Sequence, residues 1–180
     1  MRIPIFISSP SWKNLNPDQT QIRKLIEDQL RRLDLEPRSV GSSDYPTECP
    51  LMEVLVIARQ CSGGIVLGFE QFRATDGSWM KSVSQPISNP IPFPTPWNNL
   101  EAGILFGLQL PLLIFKEEGI EGGVFDQGVT DVFIQTMPLP GVPASEQKGL
   151  KEVFLTWHAN VRGRYQQTAA TTHLRVSIDT

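Results

Sequence analysis

The run Trp97-Asn98-Asn99-Leu100-Glu101 sets a single acid at the start of a predicted helix, and Glu101 is the best candidate in the chain for a reactive group. The positive end of a helix dipole lowers a carboxylate's pKa and keeps it ionised. The same residues also spell a capping box, with Asn98 as the cap and Glu101 reaching back to its amide. Spacing alone leaves both readings open. Ser8 and Ser9 close a short apolar run, where hydroxyls and backbone amides can hold a ribose or phosphate, or form a Ser-Pro turn with Pro10. Trp97 can stack on a base or pack the start of the helix. Phe69, Glu70 and Arg73 follow a second apolar run; Arg73 can grip a phosphate bidentately or remain a solvated loop charge. Ser8, Ser9, Phe69, Glu70, Arg73, Trp97 and Asn98 are therefore the substrate-binding candidates around Glu101.

Other chemistries have weaker support. His158 and His173 stand far in sequence from any acid or cysteine cluster, and Cys49 and Cys61 have no metal-ligand spacing, so neither a metal centre nor a resident cofactor is expected. Cys61 falls on the apolar side of a predicted helix and reads as a buried thiol. Gly63-Gly64 lacks the spacing of a dinucleotide fingerprint. A net charge of −3 supplies no field for a phosphate backbone, which argues against nucleic acid as partner. No run reaches the roughly 18 apolar residues of a membrane span. The run Ile3 to Ile7 is too short for a signal sequence, and Ser8-Ser9-Pro10 ends it without a cleavage pattern. With two cysteines and no disulfide framework, a cytoplasmic location is the expectation.

These residues need elements to position them. Ile3 to Ile7 reads as a buried strand. Asn16-Pro17-Asp18-Gln19 opens a helix with a cap, a first-position proline and a capping-box glutamine, and Ile22, Leu25, Ile26, Leu30 and Leu33 continue it. A less apolar strand fits Leu35 to Val40, and Gly41 to Cys49 is polar loop. Pro50 opens a second helix that Ser62-Gly63-Gly64 stops, and Ile65 to Phe69 forms a central strand. Residues 70–96 form a long insert with prolines at 86, 90, 92, 94 and 96, a spacing that favours extended chain and suggests a lid or a disordered segment. A third helix is predicted from Trp97 to Gln109, then a strand from Leu110 to Phe115. Lys116 to Gly128 reads as a Gly- and acid-rich loop, whose Lys116-Glu117-Glu118-Gly119 run is solvated or forms a rim of the site, and Val132 to Met137 as the last strand. Ser145 to Tyr165 is predicted as an amphipathic helix, and Gln166 to Thr180 reads as a fraying tail or, over Leu174 to Ile178, as an edge strand. Exposure of Trp157 on that last helix would mark a partner or a homo-oligomer interface.

Strands alternating with helices predict an α/β class: one flavodoxin-like, three-layer domain with a parallel five-stranded sheet, plus a C-terminal helix. The α/β domain is expected over residues 1–143, and residues 144–180 as a helix and tail packed on it. Ligands in such sheets bind beyond the carboxyl ends of the strands. That rule selects the loop after Ile7, the segment after Phe69 and the loop after Phe115.

The stretch Asn99-Leu100-Glu101-Ala102-Gly103-Ile104-Leu105-Phe106-Gly107, with the apolar strand through Phe115, resembles the catalytic helix and following strand of the nucleoside 2-deoxyribosyltransferases. Gly63 to Gly68 is similar to that family's central strand, and Gly128-Val129-Thr130-Asp131 with Val132 to Met137 to its last. Trp97, four residues before Glu101, matches the spacing in Toll/interleukin-1 receptor (TIR)-like domains. The resemblance implies an N-glycosidase that cleaves the ribosyl–base bond of NAD or of a nucleotide or nucleoside. Glu101 would be its nucleophile or the carboxylate facing an oxocarbenium-like transition state. NAD would then be a substrate, and a role in prokaryotic defence is implied by analogy alone. The chain departs from the deoxyribosyltransferases where Gly64, Thr95 and Pro96 stand in place of acids. Transfer between bases is thus one alternative, and a nucleotide-sensing or protein-interaction module without turnover is another.

Overall fold

The computed structural model describes residues 2–40, 49–80, 84–130, 132 and 134–176, the last six by backbone alone. The chain begins with β1 (Ile3–Ser8), whose last four residues are all buried. The helix α1 (Pro17–Arg32) follows. Its cap is built as the sequence predicts: the Asn16 side chain accepts from the Gln19 amide at 2.9 Å, and the Gln19 side chain accepts from the Asn16 amide at 3.2 Å. Next come β2 (Leu35–Arg38), α2 (Pro50–Gln60) and β3 (Gly63–Gly68). The expected polar loop over 41–48 lies outside the described residues.

The insert contains four short strands, β4 (Phe72–Ala74), β5 (Ser78–Met80), β6 (Ser84–Pro86) and β7 (Ile91–Phe93). They pair as two antiparallel ribbons, β4 with β7 and β5 with β6. The alternating prolines do keep this chain extended. Pro92 sits opposite Arg73 and Pro86 opposite Ser78, each in a two-stranded ribbon, where a missing N–H can face outward without breaking a ladder.

The chain continues through α3 (Pro96–Gly107), β8 (Leu112–Lys116), β9 (Ile134–Thr136) and α4 (Leu150–Val176). Strands β2-β1-β3-β8-β9 make one five-stranded, wholly parallel sheet, the flavodoxin-like order expected. On one face, α1 and α4 cover Ile5, Ile7, Ile65, Leu67 and Leu113; Phe154, Trp157 and Val161 supply the α4 side. On the other, α2 and α3 cover Phe6, Val66, Leu112 and Ile114 through Val54, Ile57, Ala102 and Leu105.

Three expectations are corrected. Gly63 and Gly64 begin β3 and do not merely stop α2. A Cβ on Gly63 would lie 2.6 Å from Val161, and one on Gly64 2.7 Å from Leu105, so the pair lets a helix approach the sheet from each side. The last helix runs to Val176, so Leu174 to Val176 are helical and form no edge strand there; residues 177–180 lie outside the described set. The apolar periodicity ends before the helix does because it records burial, and residues 166–170 are already exposed. The helix α3 starts at Pro96 with Thr95 as its cap, three residues earlier than a cap at Asn98 would allow. Proline at the first position costs no hydrogen bond and brings its own helical φ.

Candidate active site

Alternation along β1 turns Phe6 and Ser8 toward the α2/α3 layer. Ser8 is its last residue and is fully buried, at 0% exposure. Asn98, in the first turn of α3, is 1% exposed. Its Nδ2 donates to Ser8 Oγ at 2.9 Å and to the Leu67 carbonyl of β3 at 3.3 Å. Its Oδ1 accepts from the Thr95 hydroxyl at 3.3 Å. Asn98 is therefore not a cap: it is a buried bracket between α3 and the ends of two central strands.

Glu101 lies three positions on, on the neighbouring part of the same helix face, and is only partly exposed. Burial pushes its carboxyl up to about 7, and the nearby Ser8 hydroxyl offsets part of the rise. This corrects the expected low pKa. With the helix starting at Pro96, Glu101 falls in its second turn, past the free amides where the dipole acts, so desolvation wins.

The remaining candidates divide. Trp97 is 45% exposed beside this site. Ser9 is half-buried, and its hydroxyl donates to the Pro10 carbonyl at 3.2 Å, as a Ser-Pro turn would. Phe69 is fully buried in the core cluster with Ile7, Phe115 and Phe154, so its ring presents no surface to a ligand. Apolar rings at strand ends are drawn into the core, which is why sequence position misplaced this one.

Glu70 and Arg73 pair with each other in a second cluster. Arg73 holds the Glu70 carboxyl below the usual carboxylate range. Gln19, read in the sequence only as a capping residue, and Glu117, from the run read as solvated loop or rim, complete it. Gln19 is 2% exposed, and its Nε2 donates to the Glu70 carbonyl and to both Glu117 carboxylate oxygens, each at 3.1 Å. The Glu70 amide donates to that same carboxylate. Gln19, Glu70, Phe72, Arg73 and Glu117 line a cavity of about 420 Å³. Glu117 was foreshadowed by the rule that selects the loop after Phe115; nothing in the sequence set Gln19 apart from an ordinary capping residue. Lys116, expected in solvated loop, donates to the Ile120 and Phe125 carbonyls at 2.7 and 3.1 Å.

Cys61 is buried and Cys49 exposed, and neither is in a disulfide among the described residues. No helix among the described residues is long and apolar enough to cross a membrane. Asp131 of the resembling segment lies outside the described residues. No protein-family model matches the chain, and no curated protein matches it.

Proposed function

We propose that the protein is an N-glycosidase that cleaves the ribosyl–base bond of NAD or of a nucleotide or nucleoside, with Glu101 as the reacting carboxylate. The observation that carries this reading is the place of Glu101, a desolvated carboxyl on α3 three residues after Asn98, which itself bonds Ser8 at the carboxyl end of β1 at 2.9 Å. Parallel sheets bind ligands beyond that end, and a carboxyl that burial pushes up to about 7 is a group suited to react there. The likeness of the α3–β8 segment to the deoxyribosyltransferases, and of Trp97 with Glu101 to the TIR-like domains, points the same way.

In the ionised form, Glu101 attacks the anomeric carbon. The C–N bond breaks and its electron pair leaves with the base. Water then attacks the same carbon, frees the carboxylate as leaving group, and gives its proton to solvent. If no covalent bond forms, the carboxylate stabilises the oxocarbenium-like charge while water adds. No second acid among the described residues contributes to the shift at Glu101. A base that leaves without needing a proton, such as the pyridinium of NAD, therefore suits the site best. Trp97, 45% exposed and one turn before Glu101, would flank that base.

A sensing module of the same fold would be favoured by a Glu101 tied up as a helix cap and by an exposed apolar patch on the last helix. The cap is Thr95, and on the last helix Trp157 is buried while Leu155 is exposed. The test incubates concentrated protein with NAD and a panel of nucleosides and nucleotides and follows released base by chromatography. Release by the parent and none by Glu101→Gln is expected. Equal release by both would discard the role of Glu101. Incorporation of labelled free base into a nucleoside would change the assignment from hydrolase to transferase.

A further inference from the structure

With no side chain at Gly63, Val161 of α4 seats against the start of β3. The helix repeat then brings Arg164 and Tyr165 out one turn later on the same face. There they meet the last turn of α2 and the end of α3 around a cavity of about 500 Å³. Small-molecule sites span roughly 300–1,000 Å³, so this one is of ordinary size. Ser62 immediately precedes β3 and Leu110 stands two residues before β8, which puts the cavity at the amino end of the sheet. Glu101 and Ser8 belong to the other end, about 20 Å away along a strand of this length.

Two observations give the cavity a charge preference. Arg59 and Arg164 both line it and no Asp or Glu does, a local excess in a chain of net charge −3. Among the described residues neither guanidinium has a carboxylate partner. Arg164 is anchored by one bond, from its Nη2 to the Leu108 carbonyl at 3.3 Å, and a guanidinium has further N–H donors to give. The second observation is Ser62. It is 7% exposed and lines the same cavity, and its hydroxyl has no hydrogen-bond partner among the described residues. A hydroxyl so buried destabilises the fold unless water or a ligand meets it.

The plainer account gives both arginines to the helix ends, since α2 and α3 terminate here. Each C-terminus carries about half a negative charge, so two arginines bring roughly one positive charge more than the two ends absorb. That account also leaves the Ser62 hydroxyl unused.

We propose that this cavity binds a small organic phosphate. Its phosphate group lies between the forks of Arg59 and Arg164, each able to give paired N–H bonds to phosphate oxygens, and accepts a further bond from Ser62. Its organic body packs on the wall that Leu108, Leu110 and Tyr165 supply, where the Tyr165 ring suits a planar base. The site is separate from Glu101 and does not rest on the glycosidase reading.

The test titrates the isotope-labelled full chain with adenosine monophosphate, inorganic phosphate and adenosine, and follows its amide and arginine NMR signals. Saturable shifts centred on residues 59–62 and 164–165 are expected with adenosine monophosphate, weaker ones with inorganic phosphate, and none there with adenosine. Arg59→Gln and Arg164→Gln should each weaken adenosine monophosphate about tenfold, and Ser62→Ala about threefold. Arg59 is exposed, so its variant should keep the parent spectrum away from the cavity. If Arg164→Gln does not fold, Arg164→Lys keeps the charge, loses the fork, and should still weaken binding measurably. No saturable shift at these residues up to about 10 mM adenosine monophosphate would overturn the proposal. So would unchanged binding in Arg59→Gln, or adenosine binding as tightly as its phosphate, which would leave the anion no role. Inorganic phosphate binding as tightly as adenosine monophosphate would overturn the place given to the organic body. Shifts confined to Trp97 and Glu101 would move the ligand to the other end of the sheet and discard this site.

Discussion

Gln19 in the first turn of α1 and Glu117 just after β8 hold each other across the mouth of the sheet, with both carboxylate oxygens 3.1 Å from one amide nitrogen. Because Glu117 also takes the Glu70 amide and Gln19 the Glu70 carbonyl, the pair pins the residue from which the whole insert departs. Glu117→Ala leaves a buried amide donor on Gln19 and a backbone N–H without their acceptor. Loss of about 1–3 kcal/mol is expected in denaturant unfolding, with faster hydrogen exchange at the Glu70 amide. Unchanged exchange at that amide would show that the insert is held elsewhere.

The pH dependence of base release follows from the Glu101 carboxyl, which burial raises to about 7. A nucleophile or charge-stabilising carboxylate works only when ionised. The kcat/KM profile should therefore rise with pH and level off above a midpoint near 7, since this ratio reports the free enzyme. A profile that instead falls through the same midpoint would make Glu101 a general acid.

Glu101 should also cost stability. Its folded pKa stands above the ordinary value of 4.5, so between those two values the folded state holds a proton that the unfolded state has lost. Stability then falls as pH rises through that window and stays low above about 7. Glu101→Gln removes the penalty. It should stabilise the protein by roughly 1–3 kcal/mol at pH 8 and by progressively less toward pH 4.5, as read from denaturant midpoints at each pH. No gain at pH 8 would mean that the carboxyl is better solvated than its position indicates.

Gly68, the last residue of β3, has the Phe125 ring against it. A Cβ there would lie 2.5 Å from one ring carbon and 2.9 Å from another. Phe125 is itself fully buried and cannot swing away. Gly68→Ala is expected to destabilise by about 1–3 kcal/mol, measured by thermal or denaturant unfolding. A neutral effect would show slack in this layer.

Trp97 separates stacking from packing. At 45% exposure it contributes modestly to the core. Trp97→Ala should raise KM about tenfold if the ring flanks the base, and leave stability within about 0.5 kcal/mol. A large loss of stability with unchanged KM would assign the ring to packing.

Much of this was written in local letters. The cap of α1 is Asn16 with Gln19, as spacing predicts, because a capping box closes within four residues. The parallel sheet followed from alternating apolar strands and helices, a pattern that admits few topologies. Where two local signals competed, the sequence could not arbitrate. Asn98 read locally as a helix cap, but the helix starts at Pro96 and Asn98 reaches Ser8 and Leu67 instead. Phe69 looked like a rim residue until the sheet closed over it.

The sequence by itself determined the order of elements and the layers, since these depend on periodicity and on near neighbours. Only the tertiary structure decided that Asn98 bonds to Ser8, that Gln19 meets Glu117, and that burial outweighs the helix dipole at Glu101. Those outcomes depend on which atoms, 90 or more residues apart, come within hydrogen-bond reach, and on how much water is left between them.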